Sequence, residues 1–171
     1  MKNVTIYTDG SCSGNPGPGG YAAVILQPEG LFELSGHIAH TTNNRAELLA
    51  VVEGLNAVPS ESTIRLFSDS QYVVNALNKG WVRKWRNRGW RKTTDEGVQN
   101  VDLWLKLLEA IGRHKLVKFS HVRGHAGDVY NTHADDLARG AVRGDARPLR
   151  PCTLGSHRRI GRDSNFTSVR F

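Results

Sequence analysis

Pattern and punctuation in this 171-residue chain predict an α/β domain built on one mixed sheet. Three observations carry that expectation. Strand-like alternation comes first, in three segments joined by short turns, as an antiparallel meander requires. Helical spacing then alternates with further strand-like segments, which suits crossover connections. The chain is 39% hydrophobic, and a single domain of this length buries about 70% of the surface its unfolded form exposes.

Each element can be justified in order. Asn3–Thr8 alternates Val4 and Ile6 with Thr5 and Tyr7 and stops at Asp9-Gly10. Residues 11–20, with Gly14, Pro16, Gly17, Pro18, Gly19 and Gly20, read as a loop. Tyr21–Leu26 is a second, apolar strand, and Pro28-Glu29-Gly30 turns the chain into a third near Leu31–Ala39. Thr41-Thr42-Asn43-Asn44 offers capping side chains, with Asn44 and Glu47 in a capping-box pattern. Leu48, Leu49, Val52 and Leu55 then keep helical spacing until Pro59. Ser62–Ser68 is a fourth strand, which the preceding helix lets run parallel to the first. Asp69 or Ser70 caps a short helix through Leu77, Trp81–Lys92 reads as a short helix carrying its bases outward, and Val98–Ile111 is helical again. Leu116–Val122 is a fifth strand, residues 124–128 a Gly-containing loop, and Asn131–Val142 a last helix.

From Arg143 on, Gly, Pro, Arg and Ser dominate and periodicity is lost. The domain therefore spans 1–142, and 143–171 reads as a basic, flexible tail. Of the net charge of +7, residues 1–142 hold only +2, from 16 bases and 14 acids; seven Arg and two Asp in 143–171 supply +5. Clustering is more informative than the total. Lys79, Arg83, Lys84, Arg86, Arg88, Arg91 and Lys92 fall in one stretch free of acids and studded with Trp81, Trp85 and Trp90, which suits a phosphate-bearing partner. No run approaches the roughly 20 apolar residues of a membrane span, and the N-terminal sequence has no apolar leader pattern. Cys12 and Cys152 lie far apart in no CxxC or Cys/His pattern, which fits a reducing, cytoplasmic setting. A monomer is the default expectation.

Four acids sit in four separate motifs: Asp9 in YTDGSCSGNPGPGG, Glu47 in TTNNRAEL, Asp69 in FSDSQYV and Asp135 in NTHADDLA. Each lies where a strand ends or a helix begins, so folding can gather them at one end of a sheet. Clustered carboxylates raise one another's pKa unless a counter-charge is present, and a hard divalent cation such as Mg²⁺ is the simplest one. Each acid also has a plainer reading as a turn or capping residue, and Asp136 competes with Asp135. Adjacent helical residues point about 100° apart, so only one of that pair faces the site.

These motifs, with GWVRKWRNRGW, NVDLW, VRGHAG and N-x-x-x-D-D-L-A, occur in the order seen in bacterial ribonuclease HI, which the chain resembles over roughly residues 3–142. The resemblance implies a ribonuclease H-like fold: a five-stranded mixed sheet flanked by helices, strands one to three antiparallel, four and five parallel to one. It implies endonucleolytic cleavage of RNA in RNA–DNA hybrids with Mg²⁺ or Mn²⁺, leaving 3′-hydroxyl and 5′-phosphate ends. By the same analogy Asp9 bridges two metals, Glu47 and Asp69 complete one shell and Asp135 the other. Alignment to the family's ADxLA pattern favours Asp135 over Asp136.

The family role of His125 is proton transfer or help with product release; its plain alternative is a loop histidine without chemistry. His121 and His133 repeat no ligand spacing and read as structural or exposed. Asn15, Asn43, Asn44 and Gln71 match positions the family uses to read 2′-hydroxyls and minor-groove edges. Cys12 reads equally as a contact or as a small packed residue. Trp81, Lys84, Arg86, Arg88 and Trp90 fall in the family's basic protrusion, which grips the DNA strand, with some tryptophans expected to anchor it. Rival expectations are a nuclease of the same fold acting on DNA and a hybrid-binding protein without catalysis.

Overall fold

The computed structural model describes residues 2–124 and 127–154. The elements are β1 (Asn3–Cys12), β2 (Gly17–Gln27), β3 (Gly30–Thr41), α1 (Asn43–Asn56), β4 (Thr63–Ser68), α2 (Gln71–Asn78), α3 (Trp81–Asn87), α4 (Val101–Gly112), β5 (Leu116–His121), α5 (Val129–Val142) and β6 (Arg147–Pro151). The strands form one sheet in the order β5-β4-β1-β2-β3-β6. The first three make the expected antiparallel meander, while β4 runs parallel to β1 and β5 parallel to β4.

Alternation along the strands loads both faces of the sheet. Val4 and Ile6 of β1, Ile25 of β2 and Ile64 and Leu66 of β4 meet Leu48, Val51 and Leu55 of α1 and Trp104 and Leu107 of α4. Full burial of an aliphatic side chain of this size is worth about 1.5–3 kcal/mol. The Trp104 ring is completely buried, and its Nε1–H donates to the Tyr72 hydroxyl at 3.2 Å. Across the sheet, Ala134, Leu137 and Ala138 of α5 cover Ala22 and Val24 of β2, with Tyr7 and Leu31 alongside. Small residues are needed here because α5 lies close: a Cβ on Gly20 would overlap the Ala138 carbonyl oxygen.

Several boundaries differ from the sequence expectation. Residues 11–20 are not all loop. Ser11 and Cys12 pair with Gly20 and Gly19, so only residues 13–16 separate β1 from β2. The N-caps are Thr42, Ser70 and Asp128, whose side chains accept from Arg45, Val73, and Tyr130 and Asn131 respectively. Asn43 and Asn44 are therefore first-turn residues of α1 rather than its cap. Helix α3 stops at Asn87, because Gly89 and Trp90 take left-handed backbone at φ 64° and 63°. Helix α4 begins at Val101. Val98 lies ahead of it, buried in the loop, its N–H donating to the Trp90 carbonyl at 2.9 Å.

The largest difference is β6, which arises inside the segment read as a tail and makes the sheet six-stranded. It pairs with β3, Glu33 opposite Arg150 and Ser35 opposite Arg147, with an irregularity between the two pairs. Pro148 and Pro151 are tolerated because the strand is the rim of the sheet, where a missing N–H costs no ladder bond. Side chains reinforce the pairing: Arg150 donates to Glu33 Oε1 from Nε at 2.8 Å, and the Arg147 N–H donates to Ser35 Oγ at 3.1 Å.

Candidate active site

The parallel register of β1 and β4 ends at Thr8 opposite Ser68. Asp9 and Asp69 are the next residues on these neighbouring segments, so both reach the same end of the sheet. Asp9 is not the end of its strand, as the sequence suggested. It pairs with Ala22 of β2, which outlasts β4. Ser70, not Asp69, caps α2. Helix α1 enters over Gly10, where a Cβ would overlap the Glu47 backbone nitrogen. That close approach sends the Glu47 carboxylate across β1 toward Asp9, where it accepts from the Gly10 N–H. It is not a capping side chain.

Carboxylate oxygens of Asp9, Glu47 and Asp69 come within 4.8 Å of one another. Asp9 and Glu47 are each only 4% exposed. Asp135, half-buried on α5, lies close enough for its charge to act on the Asp9 carboxyl, as does that of Asp69. Asp136 is exposed and pairs with Arg139 at 2.6 Å, whereas Asp135 is half-buried and lies 3.1 Å from the same guanidinium. Against Asp69 lies Gly124, where a Cβ would stand 3.0 Å from Oδ2. His121 faces the Asp69 carbonyl oxygen, its Nε2 at 3.2 Å. Asp128 caps α5, and His125 lies outside the described residues.

The electrostatics follow from this geometry. Burial pushes the Asp9 carboxyl up to about 9, and the negative charges of Asp69 and Asp135 add to the effect. Glu47 is raised well above the usual carboxylate range by burial, then by Asp9 and Asp69. Its Oε2 is buried with no hydrogen-bond partner. An orphaned acceptor among mutually repelling oxygens is a site short of positive charge, and this donor set fits a hard divalent cation.

A groove of about 610 Å³ is lined by Asn15, Thr42, Asn43, Asn44, Gln99 and Asn100. Asn15 Oδ1 accepts from the Asn43 N–H at 2.9 Å, which ties the β1–β2 turn to the start of α1. Gln99 and Asn100 were missed from sequence. Their only signal is a pair of amides before the α4 helical run, far along the chain from the other amides. Asn100 Nδ2 donates to the Tyr72 hydroxyl at 3.1 Å, and Arg45 clamps Asp102 with two bonds of 2.9 and 2.7 Å, fixing α1 to α4. Gln71 is exposed at the first residue of α2. The half-buried Cys12 thiol donates to the Thr41 carbonyl at 3.3 Å, which favours its packed reading.

In the basic stretch, Arg83, Lys84, Arg86 and Arg88 are all exposed. Trp85 and Trp90 pack against the main core, and Trp85 meets Trp104 edge-on at 5.8 Å. Trp81 is the outward tryptophan, with Lys79 Nζ 5.5 Å from its ring centroid. The tryptophans thus divide between anchoring and display.

Known proteins agree with this architecture. The RNase H family model matches residues 1–143. A ribonuclease H of Chlorobium phaeovibrioides is 49% identical over 142 residues, covering 83% of this chain and 97% of its own length. One from Oleidesulfovibrio alaskensis is 51% identical over 149 residues, covering 86% and 96%. Among solved structures, LC9-RNase H1, a type 1 RNase H with the type 2 active-site motif, superposes with a TM-score of 0.78 at 30% identity, over 89% of this chain and 78% of that one. LC11-RNase H1 in complex with an RNA/DNA hybrid gives 0.61 at 27%, over 82% and 97%. A fold, a carboxylate cluster and relatives matched along nearly their whole lengths converge on one conclusion: the chain belongs to the ribonuclease H family, as a ribonuclease HI of the bacterial type.

Proposed function

We propose that the protein hydrolyses the RNA strand of RNA–DNA hybrids, leaving 3′-hydroxyl and 5′-phosphate ends, as a monomer in the cytoplasm. The observation that carries this reading is the set of Asp9, Glu47 and Asp69 oxygens within 4.8 Å of one another, with Glu47 Oε2 lacking a partner. Asp9, Glu47, Asp69 and Asp135 would hold the ions. Bound there, two divalent cations, Mg²⁺ or Mn²⁺ in its place, supply activation of the attacking water and charge compensation at the leaving 3′-oxygen.

The chain's own residues do the rest. Asn15, Asn43, Asn44, Gln71, Gln99 and Asn100 can donate to and accept from 2′-hydroxyls and base edges, which distinguishes an RNA strand from DNA. Trp81, Lys84, Arg86 and Arg88 engage the backbone of the other strand, while Trp90 buttresses the protrusion from within. His125 takes the proton-transfer or product-release role. The hybrid held by a related enzyme, LC11-RNase H1, supports the substrate assignment.

The test is incubation with labelled RNA–DNA hybrid, duplex DNA and duplex RNA, each with Mg²⁺ and with chelator. Cleavage of the hybrid alone, abolished by chelator, is expected. Asp69→Asn should lower turnover by roughly 10²–10³-fold or more while hybrid binding persists. Cleavage of duplex DNA, or full turnover in that variant, defeats the proposal.

A further inference from the structure

A second group of metal-type donors shares no residue with the first. Glu33 of β3, His133 of α5 and Cys152, just past β6, each bring one donor atom within 4.8 Å of the others. Three remote stretches of chain meet there because of the topology. Glu33 lies opposite Arg150 in the β3–β6 ladder, and the Cys152 N–H donates to the Leu31 carbonyl at 2.8 Å. Leu31 and Glu33 alternate onto the sheet face covered by α5, which carries His133. Glu33 is 3% exposed, and His133 Nε2 lies 2.6 Å from its Oε2 and 3.4 Å from Cys152 Sγ.

One imidazole nitrogen thus faces two neighbours with a single proton or a single lone pair. A proton on Nε2 goes to Oε2, and the Cys152 thiol is then left to share the same carboxylate. A bare Nε2 takes the thiol hydrogen but then opposes a carboxylate oxygen, lone pair to lone pair. A cation in place of the protons engages all three donors. Glu33 Oε1 is already held by Arg150, at 2.8 Å from Nε and 2.7 Å from Nη2. That leaves Oε2 oriented toward the histidine, the usual outer support of a ligating carboxylate. An N, S and O donor set suits a borderline-soft ion rather than Mg²⁺.

We propose that Glu33, His133 and Cys152 form a second metal site, for Zn²⁺ or a similar divalent cation, that fastens the C-terminal strand to the domain. Coordination releases the thiol proton to solvent and leaves the imidazole proton on Nδ1, with water in the fourth position. The carboxylate and thiolate bring two negative charges to the ion, the first of them shared with Arg150. Tetrahedral coordination sets N and O about 3.3 Å apart and N and S about 3.5 Å apart. The sulfur contact already matches, while Glu33 and His133 must part by roughly 0.7 Å. With its side chain 25% exposed, His133 leaves the ion a route in.

The experiment titrates full-length, metal-free protein with Co²⁺ or Zn²⁺ in excess Mg²⁺, so that the carboxylate cluster does not compete. One equivalent is expected, with a thiolate-to-cobalt charge-transfer band in the near ultraviolet. Cys152→Ser and His133→Gln should lose the band and weaken zinc by about 100-fold or more, since loss of mere outer support already costs 10–100-fold. Cys12→Ser should keep both. Should a variant fail to fold, zinc must still slow alkylation of Cys152 in the wild type, mapped by mass spectrometry. Absence of the band, its survival in Cys152→Ser, or an unchanged alkylation rate overturns the site and shows a clasp held by hydrogen bonds alone.

Discussion

Replacing Asp9 by Asn should stabilise the cation-free protein while destroying its activity. At 4.8 Å and an effective dielectric of about 20, two ionised carboxylates repel by about 3.5 kcal/mol. Protonation absorbs part of that, so a gain of about 2 kcal/mol is expected, or roughly 4–8 °C in Tm for a chain of this length. The pH dependence has a definite sign. Folding lifts the Asp9 carboxyl from 3.8 to about 9. Between those values the folded protein holds a proton that the unfolded chain lacks, so wild-type stability in chelator falls as pH rises through this window. The advantage of Asp9→Asn should therefore be small near pH 4 and grow toward pH 9. Saturating Mg²⁺ should raise the wild-type Tm and close most of the gap. Thermal melts by circular dichroism, with chelator and with Mg²⁺, measure both effects. A variant no more stable than wild type in chelator at about pH 8, or Mg²⁺ raising both proteins equally, would refute the idea that these charges strain one another.

Three further outcomes can be checked. Gly10→Ala puts a methyl where the Glu47 backbone nitrogen lies; α1 must retreat, costing about 1–3 kcal/mol in a urea melt and lowering hybrid turnover, and wild-type behaviour would show that α1 is not seated as described. Neutralising Arg86 and Arg88 together should flatten the dependence of log K on log salt for hybrid binding by about 1–2 units, whereas an unchanged slope would move the binding surface elsewhere. Ending the chain after Ala146 should preserve a cooperative melt at lower temperature, because Glu33 loses Arg150 and Arg147; loss of cooperativity would make β6 part of the folding unit rather than an addition to it.

The meander, the crossover and the approach of Asp9, Glu47 and Asp69 were legible because alternation and punctuation are local signals, while Asp135 was singled out only by the family resemblance. Where the reading failed, remote contacts had overruled local chemistry. Gly19 and Gly20 look like turn residues, yet they are strand residues pressed by Thr41 and by α5. Asp9 looks like a strand end because Gly10 follows it, yet Gly10 is there to admit a helix. Trp90 keeps near-helical spacing with Trp81 and Trp85 but leaves the helix at Gly89. The strand β6 gave no periodic signal. It is short and proline-bearing, and Glu33, more than 100 residues earlier, helps hold it. Gln99 and Asn100 join the amide groove only through the docking of α4, which no local pattern announces.

That late strand changes what the sheet shows to other molecules. Without it β3 would be an open rim, a row of bare peptide donors and acceptors with Leu31 and Phe32 at one end, the kind of template on which stray chains build. With it, the outermost strand presents two prolines that have no hydrogen to offer a newcomer. The opposite rim, β5, carries the exposed Lys118, a charge that discourages an uninvited neighbour. Each rim of the ladder thus carries a residue that works against a further strand, prolines on one side and a charge on the other.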